Sequence, residues 1–260
     1  MLDIDIRYRP FKLFLWFRYL KVKLPIHWHE LTQKQFIAIP YLQRGLLDDL
    51  KIMQIFLGVK RHVAKSIDID LVTLIKSYLK FIEEPELLDY FVIKKAMWFK
   101  APDPKLNSIG FDSFIWGDKY YQSYLGGIKR DRDRFIACFY YDHKGFGDWL
   151  EYNAIIMRME KERIREAIVV NYSMIRLWLM NLYPSLFRFV DEIGKIGKSN
   201  DGFIRALQIF EDYGIIDGET FLKKPLHEAL NLLNTLAENA YSDPKKAALL
   251  MGALAKRSQN

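Results

Sequence analysis

The sequence predicts a mainly α-helical, multi-helix globular protein with a small extended or β element at its N-terminus. Apolar residues recur at helical spacing over most of the chain after residue 25, whereas before it they alternate with charged residues. The chain has 260 residues, of which 50% are hydrophobic and 15% aromatic. This apolar content is enough for a buried core and excludes a disordered or low-complexity chain.

The N-terminal element is predicted from two short alternating stretches. Ile4 and Ile6 alternate with Asp5 and Arg7, which is typical of a half-buried strand. Residues 20–24 alternate in the same way before Pro25. We therefore expect two strands that form a hairpin or an arm. A basic amphipathic helix over residues 11–21 is the alternative.

Helices are predicted to begin after Pro25. Thr32 and Gln35 have the spacing of a capping box, and Pro40 is expected to kink the helix that follows. A second helix is expected over residues 46–57, ending at Gly58. A third, over residues 70–83, would carry one apolar face made of Leu71, Leu74, Ile75, Tyr78 and Leu79.

The second half of the chain is predicted to be helical almost throughout, after a strand or extended segment at residues 91–100. The expected helices cover residues 118–125, 131–141, 149–183 (one kinked helix or two), 202–213, 225–240 and 244–256. Pro102 and Pro104, directly after the extended segment, favour a turn or linker before the first of these helices. We therefore predict four regions: a basic arm or hairpin at 1–25, helical regions at 26–104 and 105–241, and a C-terminal helix and tail at 242–260.

No candidate catalytic or metal site is supported by its spacing. His27, His29 and Glu30 form the most metal-like cluster, but no second ligand motif accompanies it. Asp131 and Asp133 stand in a predicted first helical turn, which prefers negative charge, and Glu83 and Glu84 stand at a predicted helix exit. Cys138 lies in an apolar run typical of a core. We therefore predict a non-enzymatic protein with no catalytic residue, metal or other cofactor. A hydrolase with an unrecognised site is the weaker alternative.

The N-terminal segment is the first of two candidate contact elements. Six basic residues and no acidic residue occur between positions 7 and 23. Interleaved aromatic residues suit either a docking arm on a neighbouring subunit or a surface for nucleic acid. The candidate contacts are Arg7, Arg9, Lys12, Trp16, Arg18, Lys21 and Lys23.

The second candidate is the apolar face of the C-terminal helix, made of Leu250, Met251 and Leu254. Its residues recur at the spacing of one helix side. No run of 18 apolar residues exists, so no transmembrane segment is expected. The single cysteine excludes an intramolecular disulfide and suits a reducing cytoplasm.

Three segments of the chain resemble known sequences. Residues 24–36 (LPIHWHELTQKQF), residues 114–125 (FIWGDKYYQSYL) and residues 225–230 (PLHEAL) occur in this order. Together they resemble a group of poorly characterised proteins encoded by phages and prophages of Bacteroidota, in structural or tail-assembly gene modules. The resemblance spans roughly residues 24–235, and it brings no catalytic residue with it.

This resemblance implies a non-enzymatic phage structural or tail-assembly protein that acts through protein–protein contacts. Its partners would be other phage structural proteins or further copies of itself, in a homo-oligomer or ring. It would be located in the virion, or in the cytoplasm of the host bacterium during assembly. The two ends of the chain lie outside the resemblance, which fits arms that reach neighbours. A nucleic-acid-binding module that uses the basic N-terminal segment is the alternative function.

Overall fold

The computed structural model describes residues 1–8, 18–141, 149–197, 201–212 and 214–242. Within these ranges the protein has twelve α-helices and two small sheets of two strands each. This confirms the predicted mainly α fold with a short N-terminal strand pair. No helix in the described ranges is long and apolar enough to cross a membrane.

The chain divides into two compact units. The first contains residues 1–86 together with 162–170, and the second contains residues 87–161 together with those from 171 onwards. The boundary that we predicted near residue 104 lies inside the second unit.

The first unit begins with the predicted hairpin. Strands β1 (Leu2–Tyr8) and β2 (Arg18–Leu24) pair antiparallel, with Leu2 opposite Leu24 and Tyr8 opposite Arg18. One face of the hairpin is anchored in the core by four buried residues: Ile4, Ile6, Val22 and Leu24. The alternative of a helix over residues 11–21 is wrong at residues 18–21, because their backbone is paired in β2.

Helix α1 (Gln33–Gln43) begins with the predicted capping box. The Gln35 N–H donates to Thr32 Oγ1 at 3.3 Å, and the Thr32 N–H donates to Gln35 Oε1 at 2.8 Å. Helix α2 (Asp49–Phe56) starts later than predicted, because the Asp48 carboxylate accepts the Lys51 N–H at 2.7 Å and caps it there. It is followed by α3 (Arg61–Ala64).

The predicted apolar face of the third helix is only partly correct. The segment forms helix α4 (Ile69–Tyr78), which continues as a 3-10 helix over Leu79–Glu83. Ile75 and Leu79 are buried, but Leu74 and Tyr78 are exposed by 47% and 40%. Helical spacing identifies residues on one side of a helix, whereas the neighbouring elements decide how far that side is covered.

The second unit opens with a short hairpin inside the segment predicted to be extended. Strand β3 (Lys95–Ala96) pairs antiparallel with β4 (Phe99–Lys100), and the Ala101 N–H donates to the Lys94 carbonyl at 2.9 Å. The hairpin turns at two residues, Met97 and Trp98.

Seven further helices, together with α8 from residue 171 onwards, complete the second unit among the described residues. They are α5 (Phe111–Leu125), α6 (Asp131–Phe139), α7 (Leu150–Arg158), α8 (Glu162–Leu182), α9 (Pro184–Gly197), α10 (Gly202–Asp212), α11 (Gly218–Leu222) and α12 (Leu226–Ser242). The predicted segment 149–183 is therefore two helices, since the backbone at Lys161 is not helical. Helix α5 begins before residue 118, and the final helix predicted at 244–256 lies outside the described residues.

Helix α9 is an element that the sequence analysis missed. We interpreted Pro184 as the end of a helix, but it is the first residue of the next one. Proline suits a first helical position because its missing N–H would have no intrahelical acceptor there. Tyr183, which does not have helical backbone angles, separates α8 from α9.

Candidate interaction surface

The basic residues of the N-terminal hairpin are partly compensated by acidic neighbours. On the outer face, Asp3 lies directly opposite Lys23 and Asp5 directly opposite Lys21. Opposite charges at directly paired positions of a sheet attract each other. Lys21 and Lys23 therefore do not form a purely positive surface, although both are exposed.

The predicted contact residues of this segment do not all share one face. Arg7, Lys21 and Lys23 lie on the outer face of the hairpin, whereas Arg18 pairs with Tyr8 on the opposite face. The other predicted contacts lie outside the described residues and stay predictions: Arg9, Lys12, Trp16, Leu250, Met251 and Leu254.

The histidine cluster at the end of the first hairpin has other contacts. The rings of His27 and His29 stack at 5.5 Å between centroids, with 9° between their planes. Glu30 Oε2 accepts the Ile26 N–H at 2.8 Å. No group of three or more candidate metal ligands is found among the described residues.

The buried polar groups of the second unit pair with one another. Arg176 Nε lies 2.8 Å from Asp118 Oδ1, which also accepts the Tyr172 hydroxyl at 3.1 Å. Burial lowers the pKa of Arg176, but the nearby Asp118 carboxylate and other groups raise it by more than burial lowers it. The pKa of Arg176 is therefore raised. Burial also raises the pKa of the Cys138 thiol well above its usual range. A thiol that is fully buried and protonated at neutral pH is not a nucleophile.

Residues from the segments that carry the resemblance contribute to the fold. The Trp28 indole N–H donates to the Glu84 carbonyl at 2.8 Å, and the Gln35 amide donates to the Phe56 carbonyl at 2.9 Å. His227 Nδ1 lies 2.6 Å from the Tyr183 hydroxyl, and its Nε2 lies 2.5 Å from the Lys105 carbonyl. These contacts tie helix ends and loops together.

The most unusual surface of the described chain lies on helix α7. Its inner side buries Ala154, Ile156 and Met157. Its outer side nevertheless exposes a second row of large apolar residues, at helical spacing: Trp149 (54% exposed), Tyr152 (57%), Ile155 (59%) and Met159 (72%). An amphipathic surface helix normally turns charged or polar residues to solvent on that side.

The turn of the β3–β4 hairpin adds a further aromatic residue to this surface. The Met97 N–H donates to Glu160 Oε2 at 2.5 Å, which anchors the turn at the residue after Met159. Met97 has a φ of 52°, a left-handed conformation that is uncommon for residues other than glycine. Trp98, the other turn residue, is 62% exposed. We call Trp98, Trp149, Tyr152, Ile155 and Met159 the aromatic face.

Two lysines on the same hairpin lie directly opposite each other. Lys95 pairs with Lys100, and both are exposed, whereas Ala96 and Phe99 on the other side of the hairpin are buried. Like charges at directly paired positions repel each other. Within the described residues, neither lysine has an acidic partner.

Sequence reasoning missed the aromatic face, although the sequence contained a signal for it. We predicted one kinked helix or two over residues 149–183, and helix α7 within this stretch has apolar residues on two sides. Tyr152, Ile155 and Met159 show the spacing of a buried stripe, so periodicity alone could not mark them as exposed. Searches of known protein families, curated proteins and solved structures found no match to this chain.

Proposed function

We propose that this protein is a non-enzymatic assembly component that acts through protein–protein contacts. The observation that supports the proposal is the aromatic face, where five large apolar side chains point to solvent on one helix and the adjoining turn. Tryptophan, tyrosine and methionine are enriched at protein interfaces, and contiguous exposed apolar patches are uncommon on monomeric proteins.

The phage setting of the proposal rests on the resemblance in the three sequence segments. We propose that the protein is a structural or tail-assembly component of a phage or prophage, with other phage structural proteins or further copies of itself as partners. In the described structure, residues of these segments such as Trp28 and His227 hold the fold together. A structural role for these residues, together with a separate docking surface, is consistent with assembly rather than catalysis.

The buried polar groups support the absence of catalysis in this proposal. Cys138 is inaccessible, and the Asp118 carboxylate is bound by Arg176 and Tyr172. Catalytic acids, bases and nucleophiles need access to a substrate and a partner group within hydrogen-bonding distance. These groups instead stabilise the interior of the second unit.

The run of basic residues in the sequence favours the nucleic-acid alternative, but the charges of the folded N-terminal hairpin support it less. Asp3 and Asp5 lie opposite the two lysines that would bind phosphates. The alternative predicts that nucleic acid co-elutes with the purified protein and is removed by salt. Size-exclusion chromatography with absorbance at 260 and 280 nm, at low and high salt, tests this directly.

The assembly proposal is tested by placing charge on the aromatic face. Complexes would be purified from the native host after prophage induction, using the tagged chain and the double variant Tyr152→Glu/Ile155→Glu. Both positions are exposed, so the helix should still form. The matched control is Leu74→Glu/Tyr78→Glu, on exposed apolar residues of α4. We expect the α7 variant to lose its protein partners or its oligomeric state, and the α4 variant to keep them.

Crosslinking mass spectrometry identifies which surface contacts the partner. Crosslinks from Lys95, Lys100 and Lys161 should disappear in the α7 variant, since these lysines adjoin the aromatic face. The proposal is wrong if the variant forms the same complexes in the same amounts as the unmodified chain.

A further inference from the structure

We infer that the aromatic face binds an acidic amphipathic helix of a partner protein, with apolar residues along its centre and carboxylates along its edge. This inference rests on the proposed function and specifies the chemistry of the partner. It is drawn from the charges that surround the face, from the spacing of its apolar residues, and from the composition of the rest of the chain.

Among the residues that the structure describes, two acidic groups next to the aromatic face are already engaged. Glu160 accepts the Met97 N–H through Oε2, and it accepts the Lys161 N–H through Oε1 at 2.8 Å. Glu151 lies 2.8 Å from Arg134 Nε. These carboxylates are therefore used within the second unit.

Three lysines at the same surface are not neutralised in this way. Lys95 and Lys100 face each other across the hairpin, and Lys161 is exposed at the start of α8. None of these three lysines has an acidic partner in the part of the chain that the structure describes. A carboxylate from a partner would relieve the repulsion between Lys95 and Lys100 and gain favourable contacts with both.

The chain's own apolar segments outside the described ranges do not carry the negative charge that the proposed partner has. Residues 9–17 and 243–260 are the parts outside the described ranges that carry several large apolar residues. The first contains Arg9 and Lys12 and no acid, and the second contains four basic residues and one acidic residue. Either segment would bring further positive charge to the lysines.

A second copy of the chain is disfavoured for a related reason. The protein has a formal net charge of +7, and in a two-fold symmetric contact the same patch lies on both sides. The three lysines at the patch, which have no acidic partner among the described residues, would meet further positive charge on the other copy. An acidic partner of different sequence is therefore the better complement.

The shape of the face favours a helix over nucleic acid. Ile155 and Met159 continue the row begun by Trp149 and Tyr152, and aliphatic side chains do not stack on bases as rings do. The row runs from Trp149 to Met159, ten steps of about 1.5 Å each, so it is about 15 Å long. That length matches about three turns of a helix that presents apolar residues at positions i, i+3, i+4 and i+7.

The test uses a pair of synthetic peptides and the full chain. Both peptides are fluorescein-labelled amphipathic helices with the same leucine row; one has glutamates along its edge, and the other has lysines. Fluorescence anisotropy measures their affinities at low and high salt. We expect the acidic peptide to bind about tenfold more tightly or better, and salt to reduce the difference.

Three variants locate the effect. Lys95→Gln/Lys100→Gln should remove most of the preference for the acidic peptide. The control Lys60→Gln/Lys65→Gln, on exposed lysines of the first unit, should leave it unchanged. Trp98→Ala/Tyr152→Ala should weaken the binding of both peptides, because it removes the shared apolar contacts.

The other outcomes each overturn the inference in a recognisable way. Equal binding of both peptides through Trp98 and Tyr152 would keep the docking function but refute the acidic partner. Binding of neither peptide, together with complexes from the host that are unaffected by Tyr152→Glu/Ile155→Glu, would refute both. Tighter binding of oligouridylate, lost in Trp98→Ala/Tyr152→Ala, would assign the face to nucleic acid. Dimerisation that excludes the acidic peptide would assign it to a second copy.

Discussion

The two hairpins of this protein carry their charges in opposite arrangements. In the N-terminal hairpin, Asp3 and Asp5 lie opposite Lys23 and Lys21, so each of these lysines faces an acid. In the β3–β4 hairpin, Lys95 lies opposite Lys100, and no acidic partner is found for either within the described residues. The more basic segment is therefore the better compensated one.

This difference shows how a count of charges along a chain can mislead. The run of basic residues at positions 7–23 attracts attention because no acid interrupts it. Its acidic partners precede it in sequence and meet it only through the strand register. Lys95 and Lys100 are inconspicuous in the sequence, yet the register brings them together. A functional surface is better identified from charges that the fold leaves uncompensated.

The largest expected effect separates two neighbouring aromatic residues of the second hairpin. Phe99 is buried and Trp98 is exposed. Phe99→Ala should lower the free energy of unfolding by about 3–5 kcal/mol through the loss of buried surface and the cavity left behind. Trp98→Ala should change it by about 0.5 kcal/mol or less. Urea denaturation measures both, and a large loss for Trp98→Ala would mean that this ring serves the fold.

The N-terminal hairpin provides the corresponding comparison in the first unit. Ile6 is completely buried, whereas Tyr19 on the outer face is 71% exposed. Ile6→Ala should destabilise the protein by about 2–4 kcal/mol, and Tyr19→Ala should have almost no effect. Hydrogen exchange of the β1 and β2 amides measures the loss of stability at the hairpin itself. Unchanged protection in Ile6→Ala would show that the hairpin is not anchored through its inner face.

A smaller effect is expected at the turn that presents Trp98. Met97 has a positive φ, and a β-branched residue tolerates this conformation poorly. Met97→Val should therefore be less stable than the control Met97→Gly by about 1–2 kcal/mol, because glycine avoids the steric cost. Urea denaturation of both variants measures the difference. Equal stabilities would mean that the turn changes its conformation to fit the side chain.

The smallest expected effects are stability changes of opposite sign, which test the difference in charge pairing between the two hairpins. Lys95→Glu replaces a repulsive pair with an attractive one and should stabilise the protein by about 0.5 kcal/mol. Lys21→Glu places a second acid opposite Asp5 and should destabilise it by about the same amount. Both effects should shrink in high salt. Thermal unfolding of the two variants in parallel gives the comparison, and shifts of the same sign would contradict it.

Local signals in the sequence predicted several elements well. The Thr32–Gln35 capping box and the strand pair were predicted from residues close together in the chain, and both are confirmed. Proline was harder to interpret, because Pro184 begins a helix where we expected one to end. The same residue suits both places, and the choice depends on the residues that pack against the following segment.

The sequence by itself determined the helical class, the N-terminal strand pair and the Thr32–Gln35 capping box, because these depend on periodicity and on hydrogen bonds between near neighbours. Only the tertiary structure decided which apolar side of α7 is covered and which lysines meet across a hairpin. Burial and charge compensation depend on the residues that surround a side chain in space. For Tyr152, Ile155 and Lys95, those surroundings leave apolar surface and positive charge available to a partner.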